Sequence, residues 1–204
     1  MVSRMEPVTN ERERRFAVKK SMKHISTVAL MLNLGVAGVY AQSHVRMTFS
    51  GNGGPSAINL QQPNTNTVEE HVAGNGRLGP FTFRDVRAAA SAPQPSSTCS
   101  GVFFPSVAGG GILRFADGSL MKVSLVEGGD CIDLAAFEAH CTLTLQINGG
   151  TGRFENASGT LTYTETAVPV VLDASKNPVL TTEVGKITGT ISGLREEEGK
   201  DEGQ

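Results

Sequence analysis

The chain has 204 residues, with 18 Lys and Arg against 20 Asp and Glu, 24 glycines, two tyrosines and no tryptophan. Its near-neutral total hides a split, because residues 42–204 carry 11 basic against 17 acidic side chains, a net of −6 with no basic cluster. A mildly acidic surface argues against nucleic acid or an anionic membrane as partner, and the 163 residues after position 41 suffice for one domain with a real core.

The first 41 residues read differently from the rest. A basic run (Arg12, Arg14, Arg15, Lys19, Lys20, Lys23) precedes the apolar stretch ISTVALMLNLGVAGVYA, which holds Asn33 and two glycines. That stretch is short against the roughly 20 residues a membrane-spanning helix needs. It ends Val39-Tyr40-Ala41, so residues 1–41 read as a secretory signal peptide cleaved after Ala41, and counting from Met22 leaves a leader of ordinary size. The expected location is secreted or periplasmic, with no membrane contact after cleavage. Residues 42–194 form the expected domain, and residues 195–204 (REEEGKDEGQ) an acidic disordered tail.

Period-2 alternation dominates the domain. Strands are expected over VRMTFS (45–50), TVEEHVAG (67–74), PFTFRDVRAA from Pro80, SGVFFPSV from Ser100, GILRFAD from Gly111 and SLMKVSLVE from Ser119. Asp117-Gly118 predicts a two-residue primed hairpin turn. CTLTLQI puts Cys141, Leu143, Leu145 and Ile147 on one face; GTLTYTETA puts Leu161, Tyr163 and Glu165 on one face against threonines; GKITGTISG puts Ile187 and Ile191 inward. The one helical candidate is CIDLAAFEAHC, where Ile132, Leu134 and Phe137 could share a face of about two turns. Two turn-rich stretches, GNGGPSAINLQQPNTN from Gly51 and AAASAPQPSST from Ala88, read as surface loops. Eight or nine short strands joined by Gly, Asn and Ser turns predict an all-β domain, a single closed antiparallel barrel of about eight strands or a sandwich.

The glycine-rich segments invite a phosphate-binding reading and do not sustain it. GNGRLG (74–79) has the letters of the dinucleotide fingerprint, but Pro80 and an alternating strand follow where a helix is needed. INGGTGRFENASGTLTYTE (147–165) lacks the lysine of a phosphate loop. Both segments run Gly-x-Gly-Arg-apolar into a strand, which predicts strand-to-strand corners with Leu78 and Phe154 plugging a barrel end. Arg77 and Arg153 are the alternative readings there, as anchors for an anionic ligand.

GGILRFADGSLMKVSL, the GGTGRF turn with its Thr-rich strand, and GKITGTISG together resemble secreted bacterial proteins of the allene oxide cyclase barrel-like superfamily, which share a fold with dirigent proteins. The resemblance covers about residues 109–193, and more loosely the region from Val45. It implies an eight-stranded antiparallel barrel with a central, ligand-sized cavity, and it carries no catalytic residues onto this chain.

Other chemistry is sparse. Asp130, Cys131, Asp133, His140 and Cys141 cluster without Cys-x-x-Cys or His-x-x-x-His spacing, so no metal site and no cofactor are expected. Cys131 and Cys141 flank a short segment and are the expected disulfide, leaving Cys99 odd. Glu69, Glu70 and His71 read as a solvated strand edge. Tyr163 and Glu165 are the acid–base candidates, since a carboxyl on a core-facing position has its pKa raised by desolvation; Tyr163 is also a ligand-contact candidate. The expected role is a non-enzymatic binder of an apolar small molecule or an envelope-associated protein. The alternatives are an isomerase or cyclase working in the barrel cavity and a structural or adhesive surface protein using its threonine faces; the sequence sets no oligomeric state.

Overall fold

The computed structural model describes residues 42–195; the expected leader and all of the acidic tail beyond Arg195 lie outside these. The described residues form eight strands: β1 (Ser43–Pro55), β2 (Thr65–Gly76), β3 (Phe81–Ala90), β4 (Val102–Phe115), β5 (Leu120–Asp133), β6 (Glu138–Gly150), β7 (Ser158–Leu172) and β8 (Pro178–Ser192), with one 3-10 turn at Gly152–Phe154. Each strand pairs antiparallel with the next, and β8 returns to β1 from Ser43↔Ile191 to Gly53↔Thr181, closing the barrel. Closure removes every sheet edge.

The barrel expectation holds, with local corrections. The segments expected from Ser100 and Gly111 are one strand, β4, whose ladder to β5 is interrupted between Pro105 and Gly110. The glycines expected in a loop from Gly51 belong to β1, where Gly51 lies against the Val72 backbone too closely for any Cβ. CIDLAAFEAHC is a hairpin, not a helix: β5 and β6 pair as far as Asp133↔Glu138. Asp133 Oδ1 accepts from the amides of Ala135 and Ala136, and this local bond favours a turn over a helix. At the β4–β5 turn only Gly118 has positive φ (84°), and the Gly118 amide donates to the Phe115 carbonyl. This is a three-residue hairpin with a left-handed glycine, not the two-residue primed turn expected.

Inward positions follow the alternation. Leu143, Leu145, Ile147, Leu161, Tyr163, Ile187 and Ile191 are all buried, while Thr142 pairs with Thr164 and Thr162 with Thr188 on the outer surface. Both glycine-rich segments are corners at one barrel end. There Leu78 and Phe154 are buried, and Phe154 packs against Phe115 with centroids 4.6 Å apart and the rings tilted by 34°. Gly152 takes positive φ (59°) to start the 3-10 turn. This end is a solid apolar plug.

Candidate functional site

The opposite end is open. It is assembled from the end of β1, the start of β2, the ends of β3, β5 and β7, and the starts of β6 and β8. A cavity of about 400 Å³ enters there, its upper wall carrying Val68, Ile132, Ala167 and Pro169, with Leu134 and Phe137 among the residues at the β5–β6 tip. Leu134 and Phe137 are exposed at this lip. The volume lies within the usual range of small-molecule sites, and an eight-stranded barrel has room for one small ligand.

The floor is charged. Glu70 from β2, Asp85 and Arg87 from β3, Glu165 from β7 and Glu183 from β8 are all buried, and Asp130 from β5 is partly buried beside them. Each continues the core-facing phase of its strand: Phe81, Phe83, Asp85 and Arg87 alternate along β3, and Glu183, Gly185 and Ile187 along β8. Arg87 organises the group. Its Nη1 contacts Glu70 Oε1 and lies 3.4 Å from Asp85 Oδ2, while its Nη2 lies 3.3 Å from Asp130 Oδ1 and 3.7 Å from Glu165 Oε1.

Tyr163 lies beneath, wholly buried, stacked on Phe49 at 4.7 Å. Its hydroxyl is 2.6 Å from Glu165 Oε2 and 2.9 Å from Glu70 Oε2. The phenol has one proton to donate, so both bonds form together only when one carboxyl keeps its own proton. Burial, with the charge of Glu70 added, pushes the Glu165 carboxyl up to about 10, against the pull of Arg87. Burial and Glu70 likewise push Glu183 up to about 8, although Thr181 donates to its Oε1 at 2.9 Å. Asp85 is raised by burial and by Glu70, and the Tyr163 phenol by burial and both glutamates. Protonated Glu165, the phenol and Glu70 thus form a continuous hydrogen-bonded relay that opens onto the cavity through its two carboxyls.

Next door on β2, Glu69 faces outward. His71 and Arg84 bond it there and hold its carboxyl down, to about 2. An outward Glu69 and a buried Glu70 in adjacent positions correct the expectation that Glu69, Glu70 and His71 are together a solvated strand edge: β2 is paired on both sides, and only Glu69 and His71 face outward.

The sequence candidates separate. Tyr163 and Glu165 meet in the site. Arg153 sits at the plug end, where its Nε pairs with Asp117 Oδ2 at 3.0 Å, its Nη2 donates to the Leu78 carbonyl at 2.5 Å, and its guanidinium lies over the Phe115 and Phe154 rings. Its bonds are those of a structural clamp. Arg77 is exposed at the β2–β3 corner, its Nη1 reaching the His44 carbonyl at 3.5 Å, and neither arginine lines the cavity.

The disulfide is Cys99–Cys131, correcting the expected Cys131–Cys141 pair. Cys141 stands opposite Asp130 in the β5–β6 ladder, and Cys131 opposite His140. The two are one position out of step and point to opposite faces. Cys141 faces the interior as a buried free thiol whose pKa burial pushes well above its ordinary value, while Cys131 reaches the segment before β4.

Glu70, Asp85, Arg87, Asp130 and Glu183 went unrecognised as site residues in the sequence. The available signal was phase: a charged residue falling in step with Phe81 and Phe83, or with Ile187 and Ile191, is inward whatever its polarity. No protein-family model matches this chain, and no curated protein matches it.

Proposed function

We propose that this barrel binds an apolar small molecule in its open end and presents that molecule's polar end to the carboxyl, tyrosine and arginine groups of the floor. The observation that carries the reading is the layering of the cavity. Val68, Ile132 and Phe137 line the way in, and Glu70, Arg87, Glu165 and Glu183 lie at the bottom. Such sites combine apolar walls with a few placed polar groups that fix orientation.

A second reading, an isomerase or cyclase, is favoured by one specific feature, the Glu165–Tyr163–Glu70 relay. A carboxyl raised into or above the neutral range donates a proton, and the neighbouring Glu70 carboxyl, paired with Arg87, is placed to accept one. The resemblance to allene oxide cyclase-like barrels supports both readings. We place the protein outside the cytoplasm, a reading supported by the leader pattern and by the Cys99–Cys131 disulfide, a bond typical of oxidising compartments.

Native mass spectrometry of protein purified from its own host tests the binding reading. A retained organic mass is expected, and Phe137→Lys at the lip removes it. An empty spectrum, joined to no uptake of an apolar fluorescent probe such as anilinonaphthalene sulfonate, rejects the reading. The isomerase reading requires solvent deuterium to enter that ligand with wild-type protein and not with Glu165→Gln.

A further inference from the structure

We propose that Glu70, Glu165 and Glu183 form a site for a hard divalent cation, best matched by Ca²⁺, in the floor of the open end. One carboxylate oxygen from each lies within 4.8 Å of the other two. An ion centred among three such oxygens stands at most about 2.8 Å from each, so a shift of a few tenths of an ångström reaches the 2.3–2.6 Å of Ca²⁺ coordination. Mg²⁺, at about 2.0–2.1 Å and strict octahedral geometry, demands a far larger contraction. Oxygen donors alone select hard ions over zinc or copper.

Two further observations point to a ligand at this spot. Glu183 is 3 % exposed and lines the cavity, yet its Oε2 has no hydrogen-bond partner. A buried carboxyl oxygen without a partner is costly, and a cation between the three glutamates, displacing the protons of Glu165 and Glu183 to solvent as it binds, removes that cost. The charge balance points the same way. Five carboxyl groups share one guanidinium, and Arg87 makes its contacts with Glu70, Asp85, Asp130 and Glu165, none with Glu183.

The backbone accommodates the convergence. Gly53 of β1 lies between β2 and β8, opposite Glu70 on one side and Thr181 on the other. A Cβ there would fall 2.0 Å from Glu183 Oε1 and 3.1 Å from Glu70 Cγ. The missing side chain lets carboxylates from the two flanking strands approach one another, and the ion enters through the cavity they line. No bound organic molecule is needed, so the site stands or falls apart from the small-molecule reading.

The test uses metal alone on chelator-treated protein. Tyr163 is the only tyrosine after residue 41 and the chain has no tryptophan, so Tb³⁺ bound among these glutamates emits on tyrosine excitation. Sensitised emission is expected, displaced by Ca²⁺ and not by equal Mg²⁺, with a Ca²⁺-dependent rise in Tm. Glu183→Gln weakens Ca²⁺ at least tenfold. Glu155→Gln, an exposed carboxylate of the plug end paired with Arg195, leaves affinity unchanged. Tyr163→Phe loses the emission and keeps the Ca²⁺-dependent rise in Tm, which assigns the signal to this tyrosine. If Glu183→Gln does not fold, the wild-type Tb³⁺/Ca²⁺ competition decides. No emission and no Ca²⁺ effect on Tm up to about 1 mM, the weak end of natural Ca²⁺ sites, overturns the proposal, as does emission unchanged in Glu183→Gln.

Discussion

At the plug end, the inward positions of the strands hold Phe81, Phe115, Met121, Leu161 and Ile191, capped by Phe154. At the open end, the same phase of the same strands holds Asp85, Arg87, Glu165 and Glu183. β7 makes the passage in three steps, Leu161, Tyr163, Glu165, with the phenol ring in the apolar layer and its hydroxyl in the polar one. Dense apolar packing stabilises a fold in any solvent that keeps the hydrophobic effect intact. A buried cluster of charges contributes little net stability and depends on protons, counter-ions and partners. The difference places folding stability mainly at one end and leaves the other free for chemistry.

The contrast breaks most sharply at Arg87. Arg87→Met leaves Glu70, Asp85 and Asp130 without their counter-charge, and a loss of about 3–5 kcal/mol is expected at pH 8. Urea denaturation at pH 8 and pH 5 checks it, because Asp85 and Glu165, the Arg87 partners whose carboxyls burial raises, hold more of their protons at the lower pH and the loss shrinks. Phe154→Ala empties a fully buried site against Phe115 and is expected to cost about 3–5 kcal/mol. Its loss is expected to be the same at both pH values, since the buried carboxyl cluster lies at the other end; a pH-dependent loss would deny the separation of the ends.

Tyr163→Phe keeps the ring packing and removes the hydroxyl between Glu70 and Glu165, with an expected cost of about 1–3 kcal/mol. Smaller again is the pH dependence of the wild type. Glu183 and Glu165 are raised to about 8 and about 10 in the folded chain. The folded state therefore holds protons that the unfolded chain releases above its ordinary carboxyl range. The stabilisation is complete below about pH 4.5 and is lost as pH rises through 8 and then 10. A thermal midpoint lower at pH 8.5 than at pH 5.5, measured in chelator, is expected, with the difference reduced in Glu183→Gln. The smallest effect is none at all: native Cys141 should not react with a thiol reagent that labels it fully in urea, being buried with its pKa raised.

The plug end was readable in the sequence because its inward residues are apolar. Alternation then gives both strand and facing, as for Cys141 to Ile147 on β6, and the two glycine corners follow from their neighbours. The open end was not, because Glu70, Asp85 and Glu183 look like solvent-facing residues unless their phase is carried along the strand from Phe83 or Ile187. β1 shows the same difficulty, since Gly51 to Gly54 resemble a loop by composition yet pair with β2 and β8, and glycine stands at 51, 53 and 54 because neighbouring backbone and the Glu183 side chain occupy the space of a Cβ. Cys131 misled for a related reason. Nearness in sequence suggested Cys141 as its partner, and one residue of register puts the two sulfurs on opposite sides of the sheet.

The seam between β1 and β8 has a practical side. Ser43 pairs with Ile191, so both chain ends of the domain leave the ring side by side at the plug, while Gly53 reaches the cup ten residues further on, roughly 30 Å along the strand. A tether, tag or fused domain joined directly at Ser43 or Ser192 therefore starts from the end of the ring away from the mouth. The adjacent ends also suit a circular permutant, in which a short linker joins them and a new break is opened elsewhere. Such a rearranged chain would carry the carboxyl cluster on an unchanged ring, and would separate what the order of synthesis contributes to folding from what the closed ring contributes.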